Sequence, residues 1–215
     1  MESGADARST VVNSGPRPVL TRTLIATAAL DVLDGDGPEA LTLREVARRL
    51  EVKASSLYNH VGSKSEILDL VTELISSDVD LATLDAPSWR EALRTFAHAY
   101  RAAFLAHPNA AAVIARRAVE THASLRHYAR SVARLTGAGW SPAQALEIVL
   151  AVDCIVMGSI IVPFTTGFVR PPQGYSPDYA PLAAAIEAVD PATVDDTVFA
   201  TTIDRYLAGL GDPPA

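Results

Sequence analysis

Apolar positions along this chain recur every three to four residues, the spacing of one helix face, in segment after segment. Ile25, Ala28, Ala29, Val32 and Leu33 mark a helix from about Val19 to Leu33, and Asp34-Gly35-Asp36-Gly37-Pro38 ends it by turn chemistry. Leu43, Val46, Ala47 and Leu50 then give a short helix opened by a T-x-x-E capping box at Thr42 and Glu45. Only Glu51-Val52-Lys53 separates it from a second short helix, Ala54 to His60, so the two must cross steeply. Leu57 and Val61 anchor that second helix, and Gly62 is placed to end it in left-handed backbone. A second capping box, Ser63 to Glu66, starts a helix from Lys64 to about Val79 with Ile67, Leu68, Val71, Leu74 and Ile75 inward.

The later pattern is longer and greasier. Asp85-Ala86-Pro87-Ser88 is the clearest boundary, and from Ser88 to about His107 a helix carries Trp89, Leu93, Phe96, Ala97, Tyr100 and Phe104 on one side. That stripe reads as core or as the wall of a pocket for a planar or apolar molecule. Helices follow from Ala110 to Val119 and from Thr121 to Gly137. Ser141-Pro142 opens another, nearly apolar from Ala145 to Phe164. Its length suits a membrane span. Against that, Asp153 would sit near the bilayer centre at a cost of about 2.5 to 3.5 kcal/mol, and no basic cluster flanks the segment. A soluble helix apolar on all sides is covered on all sides, here by the domain interior and by a second copy of the chain. Thr165 to Ser176 reads as a loop, with helices from Pro177 to Ala188 and from Thr193 to Leu210.

Composition and charge refine this picture. The chain has 215 residues, 49% hydrophobic and 20% charged, which is globular composition. Its one cysteine, Cys154, lies in the apolar helix and reads as a small buried hydrophobe, which suits a reducing cytoplasm. The net charge of −7 is unevenly spread: between Leu41 and Lys64 five Lys/Arg meet two acids, a local +3. Phosphate attraction is a property of the local face, so an acidic body does not forbid it. The first eighteen residues lack the apolar core of a signal peptide and read as a flexible arm, whose Arg8 and Arg17 either reach a minor groove or belong to a simple tail.

The short helix at Ala54 exposes Ser55, Ser56, Tyr58, Asn59 and His60, a poor choice for stability and a good one for a major groove, where small and polar side chains meet base edges. Enzyme signatures do not emerge: there is no phosphate-binding glycine loop and no G-x-S-x-G elbow. The five histidines, His60, His98, His107, His122 and His127, have no metal-ligand spacing. No catalytic residue, metal site or cofactor is therefore assigned.

The string T-L-R-E-V-A-R-R-L-x-V-x-x-x-S-L-Y-N-H-V-x-S-K-x-x-I-L, from Thr42 to Leu68, resembles the DNA-binding domain of the tetracycline-repressor family of bacterial regulators. The resemblance continues, more weakly, to the C-terminus. It implies an all-α fold with an N-terminal three-helix helix-turn-helix domain and a C-terminal helical domain for ligand binding and dimerisation. With the boundary near residue 80, the division expected is 1–18 as arm, 19–80 as DNA-binding domain and 81–215 as effector and dimer domain. By the family pattern Ser55, Ser56 and Asn59 contact bases, Ala54 allows close approach, and Thr42, Arg44, Tyr58, His60 and Lys64 hold phosphates. Tyr58 and His60 can equally pack their short helix against its neighbours.

Ser88-Trp89 with Leu93, and His107-Pro108-Asn109 with Ala111, look most like the tetracycline-binding class itself. Where that class uses an asparagine and a histidine for a tetracycline–metal chelate, this chain has Phe96 and Ile114, so the chelating site is not reproduced. Candidate ligand-facing residues are Phe96, Tyr100, Phe104, Ile114, Arg117, Val149, Asp153 and Met157. A rather apolar effector is expected, with an acidic group answered by Arg116 or Arg117 unless those face solvent. The partners implied are double-stranded operator DNA with palindromic half-sites, a small-molecule effector, and a second copy joined through the helices at 142–163 and 193–210. No membrane partner is expected. The implied function is that of a cytoplasmic, ligand-released repressor; the rival is a helical small-molecule-binding or scaffold protein whose helix-turn-helix does not act on DNA.

Overall fold

The computed structural model describes residues 19–168 and 170–213. The expected arm, with Arg8 and Arg17, lies outside the described residues. Within them every regular element is helical: α1 (Arg22–Asp36), α2 (Leu43–Arg49), α3 (Ala54–Tyr58), α4 (Lys64–Ser77), α5 (Trp89–Leu105), α6 (Pro108–Ile114), α7 (His122–Thr136), α8 (Pro142–Ile161), α9 (Phe164–Gly167), α10 (Ala180–Ala188) and α11 (Val194–Gly209), with short 3-10 turns between.

Caps explain most of the starts. Thr21, Thr42, Ser63, Ser88, Thr121 and Ser141 each accept a backbone N–H three residues on, satisfying donors that a helix leaves orphaned. At Ser141 the box is complete, with the Gln144 side chain accepting from the Ser141 N–H. At Thr42 only half of the expected box forms, because the Glu45 carboxylate turns to the Arg48 and Arg49 guanidiniums instead. Glu66 likewise reaches one residue further than expected, to the Gly62 N–H at 3.0 Å.

The sharp turn between α2 and α3 is made by an unexpected residue. Gly62 is not left-handed; Glu51 is, at φ 54°. The Glu51 N–H donates to the Arg48 carbonyl and the Val52 N–H to the Ala47 carbonyl, the paired bonds of a Schellman stop. Such a stop fixes the direction in which the chain leaves α2, and α3 starts two residues later. Glycine does serve this purpose at Gly37, φ 84°, whose N–H returns to Leu33. That is why α1 runs three residues past its expected end: Gly35 and Asp36 are helical, and Arg49 pairs with Asp36 to hold the last turn.

α1 and α4 pack along each other, with Ile25, Ala29, Val32, Leu33, Ile67, Val71 and Ile75 inaccessible or nearly so, and α2 and α3 sit against one end of that pair. In the larger helical group α8 packs on α5, α6, α7 and α11. By length and composition α8 could cross a membrane, with mean hydropathy 1.9. In the fold it is a packing helix, with Ala145, Ile148, Val149, Val152, Val156, Met157 and Ile160 buried. Its other face is open: Leu146, Leu150, Cys154 and Ile161 are exposed. Cys154 is therefore a surface residue of the single chain and not the buried hydrophobe expected. α6 ends at Ile114 rather than Val119, and α9 forms inside the expected loop. α10 buries none of its residues.

Left-handed backbone costs a residue with a Cβ about 1 to 2 kcal/mol, and glycine returns about 0.5 to 1 kcal/mol of that as extra chain entropy. Glu51→Gly is thus expected to raise the melting temperature by about 1 to 4 °C, and Glu51→Val to lower it. Thermal unfolding followed by circular dichroism checks both signs.

Candidate nucleic-acid interface and effector cavity

The short helix α3 owes its position to two apolar anchors, Leu57 and Val61, which are 0% and 1% exposed. Everything else on it is turned outward or sideways. Ser55, Tyr58 and Asn59 are exposed, while Ala54, Ser56 and His60 are half-buried. The helix stops at Tyr58 rather than His60, so Asn59 and His60 lie in the turn that follows. Thr42 and Arg44 are exposed at the start of α2, with the Thr42 hydroxyl occupied as a cap.

Electrostatics sorts the basic residues into two groups. Arg48 hydrogen-bonds Glu45 at 2.8 Å and holds its carboxyl below the ordinary carboxylate value. Arg49 is shared between Asp36 and Glu45. Arg48 is thus paired within α2, and Arg49 braces α2 on α1. Arg44 and Lys53 are exposed without an ion pair among the described residues, and Lys64 donates only to the Pro38 carbonyl, at 3.0 Å. Lys53 was not singled out from the sequence, although it stands immediately before α3.

The second site lies inside the larger group, between α5, α7 and α8. Leu93, Phe96, Tyr100, Ser124, His127, Tyr128, Ser131, Val149, Val152 and Asp153 line one cavity of about 30 Å³. A neighbouring one of about 60 Å³ reaches Ile114, Arg117, Met157 and, on α4, Asp69 and Thr72. Both are bounded by Tyr100, Ser124, Tyr128 and Asp153. That is room for one or two waters, against the several hundred Å³ that a drug-sized ligand needs, so any larger occupant must push helices apart.

Polar groups converge on this wall. Burial raises the Asp153 carboxyl above its usual value, opposed by hydrogen bonds from the Tyr128 and Tyr100 hydroxyls. Burial and the adjacent Asp153 push both phenols well up. His127, 4% exposed, packs edge-on against Phe96 and Tyr100, and burial lowers its pKa. Its Nε2 and the Ser131 hydroxyl are buried with no hydrogen-bond partner among the described residues. Orphaned buried polar atoms cost about 1 to 3 kcal/mol each and call for an explanation.

Of the eight residues anticipated here, Phe96, Tyr100, Ile114, Arg117, Val149, Asp153 and Met157 border the cavities. Phe104 does not: it is fully buried and packs edge-on under Tyr100 at 4.9 Å. Arg117 is not an unengaged cation awaiting an acid, since it pairs with Asp69 and donates to the Ser65 hydroxyl at 2.9 Å. His127, Tyr128, Ser124 and Ser131 were missed. Helical spacing of one polar face over 124, 127, 128 and 131 was the available signal, obscured because each residue is an ordinary surface type.

Arg117 belongs to a set of polar ties between the two helical groups. Ala123 N–H donates to the Glu73 carboxylate at 2.7 Å, Asn109 donates to the Leu33 carbonyl at 2.9 Å, and His107 meets Asp34 at 2.7 Å. α6 and the start of α7 are thereby fastened to α1 and α4.

Comparison with known proteins fits this arrangement. Residues 25–71 match the family described as bacterial regulatory proteins, tetR family, and residues 83–212 match the tetracycline-repressor-like C-terminal domain. The chain belongs to the tetracycline-repressor family. A helix-turn-helix transcriptional regulator of Saccharopolyspora erythraea is 36% identical over 147 residues, which is 68% of this chain and 62% of that relative's length. The chain thus spans less than two thirds of that regulator. Among solved structures, Streptomyces coelicolor ActR in complex with (S)-DNPA is similar with TM-score 0.73 and 25% identity, over 89% of this chain and 96% of that one. BioQ bound to its double-stranded DNA operator is similar with TM-score 0.59 and 27% identity, over 66% of this chain and 86% of that one.

Asp153 gives a pH signature. Its carboxyl is protonated more readily in the folded than in the unfolded chain, so its ionisation destabilises the fold as pH rises above the ordinary carboxylate value. Asp153→Asn is expected to melt higher than the parent at neutral pH, with the gain disappearing below that value. Melting curves across pH check the sign; a gain that grows in acid contradicts it.

Proposed function

We propose that this member of the tetracycline-repressor family is a cytoplasmic, homodimeric transcriptional regulator, a repressor released from a palindromic operator by a small-molecule effector. The observation that carries the reading is the exposed polar surface of α3, held by only Leu57 and Val61 and flanked by the exposed cations Arg44, Lys53 and Lys64. A five-residue helix that, with the turn after it, spends its surface on Ser55, Tyr58 and Asn59 gains nothing from it in stability, and gains contacts if it enters a major groove. The operator complex of BioQ and the ligand complex of ActR support the two halves of the reading.

The division of labour is residues 19–80 for DNA and 81–215 for effector and dimer contacts. Ser55, Ser56 and Asn59 are assigned to bases, Ala54 to close approach, and Thr42, Arg44, Tyr58, His60 and Lys64 to phosphates, with Lys53 added to that set. For Lys64 this means leaving the Pro38 carbonyl or bridging it to a phosphate. The dimer is assigned to α8 and α11, whose apolar residues Leu146, Leu150, Ile161 and Val198 are exposed in the single chain. A two-fold axis there brings two copies of α3 to half-sites one helical turn apart. Release follows from the small cavity: an occupant that parts the helices moves the wall carrying Asp69 and Thr72, which is α4, and α4 holds the helix-turn-helix.

The test is binding to a panel of duplexes across a salt titration. Arg44→Ala is expected to weaken all duplexes alike and to reduce the salt slope by about one. Asn59→Ala is expected to leave the slope and reorder the duplexes. Identical behaviour of the two variants contradicts the assignment, as does salt-independent binding by the parent.

A further inference from the structure

We infer that the cavity between α5, α7 and α8 takes a planar aromatic ligand carrying a protonated amine, with Asp153 as its counter-ion. The inference rests on the effector-site reading above and names the chemistry of that site. It reverses the charge expected from the sequence, where Arg116 or Arg117 was to answer an acidic ligand.

Three observations on the cavity wall lead there. First, among the described residues the only Lys or Arg bordering it is already answered: Arg117 is held by Asp69 and by Ser65. Second, Asp153 is met by two phenol hydroxyls and, among the described residues, by no Lys or Arg. A half-buried carboxylate among Phe96, Val149 and Val152 is short of positive charge, and an incoming ammonium supplies it together with N–H donors. Third, His127 is buried at the cavity wall, burial lowers its pKa, and its Nε2 has no hydrogen-bond partner among the described residues. A neutral imidazole offers one ring nitrogen as an acceptor. Asp153 therefore asks for donors, and His127 shares the same wall with an unpartnered ring nitrogen.

The walls supply the planar part. Phe96 and Tyr100 lie parallel with centroids 5.8 Å apart, and His127 stands edge-on to both. Flat apolar faces beside a carboxylate suit an aromatic cation by stacking and cation–π attraction. The two cavities meet at Tyr100, Tyr128 and Asp153, so an amine that takes the place of the phenols on Asp153 also opens the partition between them. The merged space then runs from Leu93 to the Arg117–Asp69 pair on α4.

The test uses two fluorescent aromatic probes of opposite charge, the planar cation proflavine and the anion anilinonaphthalene sulfonate, titrated into the DNA-free full-length protein. Proflavine is expected to bind saturably, one per chain, at least tenfold tighter than the sulfonate. Asp153→Asn, checked for helicity, is expected to lose at least tenfold in proflavine affinity without losing sulfonate affinity. Equal or tighter binding of the sulfonate, or unchanged proflavine binding by Asp153→Asn, overturns the inference. Should that variant not fold, the ranking of the two probes on the parent protein still decides. A protein that prefers proflavine but binds no duplex upholds the cavity assignment and removes the regulator reading; one that binds duplex without the probe preference does the opposite.

Discussion

The structure turns on one shared helix. α4 presents Ile67, Val71 and Ile75 to the core it forms with α1, and it also contributes Asp69 and Thr72 to the cavity wall. Apolar packing of that kind is non-directional but close, so α4 cannot shift without carrying α1 and the helices docked on it. The polar ties run the same way. Arg117, Asn109, His107 and the N–H of Ala123 all reach across to α1 or α4, so the first turns of the larger group are fastened directly to the smaller one. The cavity wall and α3 are thus joined through α4, with α1 tied in beside it.

The cavity itself is held closed at a cost. Among the described residues His127 Nε2 and the Ser131 hydroxyl have no partners, and Asp153 is kept in a setting that disfavours its charge. A chain selected for stability alone would fill that volume with apolar side chains. Keeping polar groups around a space of one or two waters makes sense if a ligand completes them, because binding then both satisfies the orphans and forces the walls apart. The polar groups of this wall and its continuity with α4 through Asp69 and Thr72 belong to one arrangement.

Much of this was legible in the sequence, for reasons that can be named. Ser and Thr caps at Thr42, Ser63, Ser88 and Ser141 fixed helix starts, because an orphaned N–H is satisfied locally. The surface residues of α3 could be read because Leu57 is the one position of the helix that is buried. Illegible were the features decided by distant parts of the chain. Arg49 reaching Asp36 let α1 run past Gly35, and Arg117 reaching Asp69 withdrew it from the cavity's charge balance. Glu51 in left-handed backbone contradicts its own propensity, at the turn where α2 and α3 pack on each other with Val46, Leu57 and Val61 buried. Cys154 follows the apolar pattern of α8 yet lies on the face that the single chain leaves uncovered.

The central claim is that a dimer of this chain presents two copies of α3 to one duplex. It is tested most directly by incubating the purified full-length protein, with its dimeric state established by sedimentation, with a pool of random duplexes and sequencing what is retained at moderate salt. The account predicts enrichment of a palindrome whose half-sites lie about one helical turn, 10 to 10.5 base pairs, apart. A folded dimer that enriches no sequence, or only single half-sites without symmetry, contradicts it.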